Sequence, residues 1–185
     1  MAKHVCPWWL GYFLASPLRR LSQKPEKILA EYVDASYKVL DIGCGMGFFS
    51  IPMAKTVGRS GKVYCVDMQE KMLAELVKRA EKAGVMGNIE TRLCGGESLG
   101  IDDLEGKLDF ALAFAMVHEV PDRPQFFSQV FRALKRGRKL LIAEPNGHVS
   151  KKEFEATIED ARSCGFEAFE RPLIPRSRTC ALMKK

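Results

Sequence analysis

The chain has 185 residues, 46% of them hydrophobic and 28% charged, which is enough apolar content for one domain with a real core. No run of about 18 uncharged apolar residues is present, so nothing in it reads as a membrane span, and no basic-then-apolar leader precedes a small-residue cleavage site. The six cysteines (Cys6, Cys44, Cys65, Cys94, Cys164 and Cys180) show no C-x-x-C spacing, which argues for buried thiols in a reducing cytoplasm rather than a disulfide framework or a zinc site.

Net charge is +6. A positive excess admits an anionic partner. Here it is spread along the chain, with a modest cluster at Arg171, Arg176, Arg178, Lys184 and Lys185. A solvated surface accounts for it, and a nucleic-acid partner is disfavoured.

Residues 1–27 precede the core and carry Trp8, Trp9, Leu10, Tyr12, Phe13 and Leu14, then Arg19 and Arg20. They read as a helical lid over the site, as a cover on the sheet edge, or as a weak membrane-surface helix. Residues 28–185 form the domain proper. Lys38–Ile42 is the first strand and Met46–Val57 the first helix. Lys62–Asp67 is the second strand. Gln69–Ala83 is an amphipathic helix, with Met72, Leu73, Leu76, Val77 and Ala80 on one face and Gly84 at its end. Ile89–Cys94 is the third strand. Lys107–Phe114 is the fourth, nearly continuously apolar after Asp109, as in a strand covered on both faces. Pro124–Leu134 is a helix and Lys139–Glu144 the fifth strand. Ser150 with Glu153 forms a capping box for a helix to about Ser163. Gly165–Glu170 and Thr179–Met183 close the chain as strands. Only Arg171–Arg178 joins them, which favours an antiparallel pair. The alternation gives a doubly wound α/β sheet of seven strands with right-handed crossovers.

The most informative stretch is Val39–Ser50, VLDIGCGMGFFS. It reads as strand, glycine turn, helix. Glycine permits positive φ and close approach of a ligand to the backbone, and the following helix start offers unpaired N–H groups. The spacing is G-x-G-x-G, and Phe48 stands where the dinucleotide fingerprint needs its third glycine. Downstream, Gly61–Asp67 reads GKVYCVD, a strand ending in an acid. A carboxylate there suits the two hydroxyls of a ribose; alternatively it caps the next helix.

These two elements, in this order, resemble motif I and the following acidic strand end of the class I S-adenosylmethionine-dependent methyltransferases. The resemblance covers about residues 28–185. It implies a Rossmann-like methyltransferase sheet with an antiparallel last strand and S-adenosylmethionine as cofactor, S-adenosylhomocysteine being the product. Asp41 is then expected to orient the turn or meet the cofactor's ammonium. Gly43 and Gly45 approach the methionyl portion, Gly47 permits tight helix packing, and Asp67 takes the ribose. Met68 covers an adenine face or packs in the core. The third motif departs from the family. Arg92–Leu99 reads RLCGGESL, and Gly95 falls where an acid is usual. A backbone N–H near Gly95 is then expected to donate to the adenine ring, with Glu97 or Ser98 replacing the missing acceptor. Lys135-Arg136-Gly137-Arg138 departs from the usual Lys-Pro-Gly-Gly at a turn remote from the cofactor.

Methyl transfer is an in-line displacement, so alignment and water exclusion carry most of the catalysis, and a base is needed only where the nucleophile loses a proton. Phe114–Val120 ends the strand beside motif I. Within it His118 is the candidate base, or packs against the cofactor or the next helix. Glu119 orients His118 or contacts a cationic substrate. Glu144-Pro145-Asn146 is expected to face the same cleft, with His148 at its border. No Asp/Asn-Pro-Pro-aromatic motif, no Pro-Cys or Thr-Cys pair and no acidic cluster of the catechol type is found. What remains is similar to the small-molecule branch that includes the ubiquinone/menaquinone-biosynthesis methyltransferases. An RNA- or protein-directed enzyme and a catalytically idle cofactor-binding protein are the alternatives. The sequence leaves the acceptor atom and the oligomeric state open.

Overall fold

The computed structural model describes residues 23–185. The lid expectation rests mainly on residues 1–22, outside that range. Twelve elements follow in chain order: α1 (Pro25–Leu29), β1 (Lys38–Ile42), α2 (Ser50–Val57), β2 (Lys62–Asp67), α3 (Glu70–Lys82), β3 (Ile89–Leu93), β4 (Leu108–Phe114), α4 (Arg123–Ala133), β5 (Leu134–Pro145), α5 (Lys151–Ser163), β6 (Phe166–Glu170) and β7 (Ser177–Lys184). The strands form one seven-stranded sheet in the order β3-β2-β1-β4-β5-β7-β6. The first five strands pair in parallel; β7 lies antiparallel between β5 and β6. The sequence expectation of a doubly wound sheet with an antiparallel last strand is met.

Both faces of the sheet are covered. On one, Val39, Val63, Phe110 and Leu112 pack with Met53, Ala54 and Val57 of α2 and Leu73, Leu76 and Ala80 of α3. On the other, Leu40, Ile42, Ala111 and Ala113 meet Phe126, Phe127 and Val130 of α4 and Phe154 and Ile158 of α5. All of β4 is buried, which explains its continuous apolar run.

Two expected boundaries move. The first helix starts at Ser50 rather than Met46, because Gly45 and Gly47 sit at φ +52° and +82° and the chain is still turning there. The fifth strand begins at Leu134, before the expected Lys139. Its pairing with β4 shifts from Leu108↔Leu134 to Phe110↔Lys139, so residues 135–138 are absorbed in an irregular loop-out. That stretch has work at the sheet's far end. Asp109 is buried; it accepts from Lys38 N–H at 3.0 Å and pairs with Lys135 at 2.7 Å and Arg138 at 3.4 Å.

Candidate active site

The carboxyl ends of β1, β2 and β4 open into a cleft of about 1400 Å³, solvent at its mouth included. Its floor is the β1–α2 turn. Gly43, at φ +66°, lies so close to β4 that an added Cβ would sit 2.9 Å from Met116 Cβ. Gly45 differs: an added Cβ would meet nothing within 4 Å. A side chain there would project into open cleft, as expected of a residue lying under a ligand. Gly47 does not line the cleft. A Cβ at Gly47 would meet Leu76 Cγ at 3.1 Å, so it permits close packing of the turn on α3.

Two buried carboxylates fix this turn. Asp41 is 3% exposed, lines the cleft, and accepts from the Ser50 hydroxyl at 2.5 Å. Asp67 accepts from Gly45 N–H through one oxygen and from Gln69 N–H through the other, both at 2.9 Å. It braces the residue that precedes α3, whose N-cap is Gln69, and ties the cradle to β2 as well. The Met68 N–H adds a third backbone contact, and part of the carboxylate's acceptor capacity is left for a ligand hydroxyl. Burial pushes its carboxyl above the ordinary value, and the N–H groups of Gln69 and Gly45 pull it partly back. Within the turn, burial and the neighbouring Cys65 thiol push the Cys44 thiol up.

The side wall is the loop after β3. Gly95, Glu97 and Ser98 line the cleft, with Met68 opposite and half exposed. The Gly95 N–H donates to Ser98 C=O at 3.2 Å, so the short loop closes on itself. Burial pushes the Cys94 thiol at its base up to about 11. Gln129 holds the loop from α4. Its Oε1 accepts from Leu99 N–H at 2.9 Å and its Nε2 donates to Glu97 C=O at 3.3 Å. Sequence reasoning missed Gln129 and Ser50. The available signal was a polar residue set within an apolar run, FFSQV in one case and FFSIP in the other.

The far wall is Phe114–Asp122. Ala115 takes φ +58°, a costly conformation for a non-glycine residue. It turns the chain so that Met116 backs Gly43 and a 3₁₀ turn, Val117–Glu119, follows. Glu119 lines the cleft; His118 stands behind it, its side chain 27% exposed. The expected orienting partner of His118 was Glu119, but His118 Nε2 is 3.9 Å from Glu119 Oε1, whereas its Nδ1 lies 2.5 Å from Glu144 Oε2. Glu144 is 1% exposed. It does not face the cleft as expected, because it is enclosed between the 3₁₀ turn and the sheet, and its other oxygen accepts from Val117 N–H at 2.7 Å. The Glu144 hydrogen bond raises the His118 imidazole above its ordinary value, burial opposes this, and the charges of Glu144 and Glu119 add to the rise. Among the described residues no cluster of three or more His, Cys, Asp or Glu could hold a metal ion.

A glycine cradle tied to an acidic strand end, on this strand order, defines the class I S-adenosylmethionine-dependent methyltransferases. The chain belongs to the methyltransferase domain family, whose model matches residues 33–171. S-adenosylmethionine is the cofactor of this class, and the open face at Gly45 and the spare acceptor capacity of Asp67 fit it. Among curated proteins the chain is similar to the ubiquinone/menaquinone biosynthesis C-methyltransferase UbiE of Cronobacter sakazakii, at 29% identity over 139 residues, 75% of this chain and 51% of that one. The UbiE of Pasteurella multocida is 30% identical over 112 residues, 60% of this chain and 41% of that one. The chain thus spans about half the length of the curated relatives it matches. A solved structure of a S-adenosylmethionine-dependent methyltransferase from Aquifex aeolicus superposes with a TM-score of 0.86 at 23% identity, covering 98% of this chain and 100% of the other. At that identity the likeness concerns the fold.

Proposed function

We propose that this protein transfers a methyl group from S-adenosylmethionine to a small, largely apolar acceptor by in-line displacement. The observation that carries the reading is the apolar lining of the cleft: Phe48 and Phe49 from its floor, Phe114, Met116 and Val120 from the far wall and Phe126 from α4 surround it, with Glu119, Asp122 and Gln125 as polar groups on that side. Such a surface suits a largely apolar molecule held by a few polar groups. The UbiE relatives, by name, methylate carbon in ubiquinone and menaquinone biosynthesis, which supports a small-molecule acceptor without fixing which one.

In this reading Asp67 receives the ribose hydroxyls, Gly43 and Gly45 admit the methionyl portion, and Asp41 holds the turn through Ser50 or meets the ammonium. Met68 covers the adenine, with Gly95 and Glu97 at its edge. Glu119 touches the acceptor and His118 stands ready as proton acceptor. When bound, the cofactor supplies an electrophilic methyl carbon. The chain's own contribution is orientation and exclusion of water. Cytoplasmic location follows the same reading; among the described residues no helix is long and apolar enough to cross a membrane.

The test is transfer of labelled methyl from S-adenosylmethionine to fractions of an extract of the native cell. Label in small organic molecules supports the proposal. Label confined to RNA or protein overturns it, as does tight S-adenosylhomocysteine binding with no transfer at all. Deleting residues 1–27 is expected to leave cofactor binding in place and abolish transfer; full activity of the truncated chain would remove the lid expectation.

A further inference from the structure

We propose that Glu144 is a positioning residue that sets the tautomer of His118, so that His118 and Glu119 form a proton path out of the acceptor site. The inference rests on the methyltransferase reading above and extends it to an acceptor that must lose a proton, such as a hydroxyl, an amine or an activated ring carbon.

The geometry runs in one line. Glu144 sits at the end of β5, 1% exposed, with one oxygen accepting from Val117 N–H and the other 2.5 Å from His118 Nδ1. A carboxylate cannot donate, so the proton between them belongs to Nδ1. In the neutral ring, Nε2 then carries the lone pair. Nε2 points toward Glu119, at 3.9 Å, and Glu119 lines the cleft. A buried carboxylate is costly to keep in a core. The fold holds the 3₁₀ turn with one of its oxygens, and an amide would serve that purpose equally well. The second oxygen, aimed at an imidazole, is what a purely structural role leaves unexplained.

The step balances. The acceptor's X–H bond breaks and its electron pair forms the bond to the methyl carbon. The pair of the methyl–sulfur bond returns to sulfur. The proton passes by Glu119 to His118 Nε2. Positive charge leaves the sulfonium and appears on an imidazolium flanked by Glu144 and Glu119. The groups facing His118 are Glu144 from β5, Glu119 from its own turn, and His148 after β5, whose ring centre is 6.1 Å away. The first two carboxylates favour the protonated ring.

Glu144→Gln separates this role from a structural one. The amide oxygen can still accept from Val117 N–H, but its NH₂ now faces His118 Nδ1. The ring must turn to the Nε2–H tautomer, and Nε2 loses its lone pair. The experiment is nitrogen NMR of the histidine-labelled full chain across pH, with His118→Asn used for assignment, beside calorimetry with S-adenosylhomocysteine. In the native protein, neutral His118 should be the Nδ1–H tautomer and should titrate above a free histidine. Glu144→Gln should switch the tautomer and lower the titration. Glu119→Gln should lower it less and leave the tautomer alone. Cofactor affinity should be unchanged in both variants, while labelled transfer by Glu144→Gln should fall by roughly 10²-fold or more. A native Nε2–H tautomer overturns the proposal even if the Glu144 variant fails to fold. Native transfer rates in a folded Glu144→Gln also overturn it. A native protein that binds no S-adenosylhomocysteine would instead sink the methyltransferase reading itself, without touching the tautomer result.

Discussion

Asp67→Ala is the most direct perturbation of the cofactor site, and the structure gives it two separable consequences. The first concerns the empty protein. Both carboxylate oxygens accept backbone N–H groups, from Gly45 and Gln69, at 2.9 Å. Asp67 is 8% exposed, so water replaces these acceptors poorly. A buried donor left unpaired costs about 1–3 kcal/mol, and removing a desolvated carboxylate recovers part of that, so a net loss of about 2 kcal/mol is expected. For a chain of this size that lowers the melting temperature by roughly 4–8 °C. The second consequence concerns binding. A hydroxyl-to-carboxylate bond contributes about 1.5–3 kcal/mol. Losing one weakens affinity about tenfold, and losing two weakens it about a hundredfold or more. Calorimetry with S-adenosylhomocysteine, run well below the variant's melting temperature, separates weakened binding from unfolding. Native affinity in a variant that melts early would refute the ribose assignment and leave Asp67 as a structural anchor of the turn.

Gly45→Val should fold and fail to bind S-adenosylhomocysteine, because a β-branched residue at φ +52° is strained and its side chain fills open cleft; native affinity by calorimetry would show that the ligand lies elsewhere. Gln129→Ala leaves the Leu99 N–H unpaired and should cost about 1–3 kcal/mol in urea unfolding while faster proteolysis appears in residues 95–100; unchanged stability would mean that water takes over the bond. His118 has a folded value raised above its unfolded one, so its stabilisation is fully present below pH 6.5 and is lost as pH rises through the raised value. The stability gap between the native protein and His118→Asn should therefore narrow from acid to alkaline pH, and a gap that widens would contradict the Glu144 pairing.

Several features were legible in the sequence because they need only near neighbours. The G-x-G-x-G turn declares its own backbone conformation. Ser150 and Glu153 cap their own helix and do so in the structure. The apolar run of β4 announces burial on both faces, and the short Arg171–Arg178 link forces an antiparallel pair. These local signals were sufficient for the strands, their α/β alternation and the glycine turn. What the sequence could not supply was the partner of each buried polar group, since that depends on how distant strands and helices come together. Asp109 meets Lys135 only because β4 and β5 pair with a shifted register. Gln129 reaches Leu99 only because α4 packs beneath the loop after β3. Glu119, adjacent to His118 in sequence, looked like its natural partner, yet it reaches only Nε2, at 3.9 Å. Glu144, 26 residues away, is brought to Nδ1 by the pairing of β4 with β5. The glycine turn is thus legible in one local segment, although Asp67 ties it to β2, whereas the His118 environment exists only once the sheet has formed.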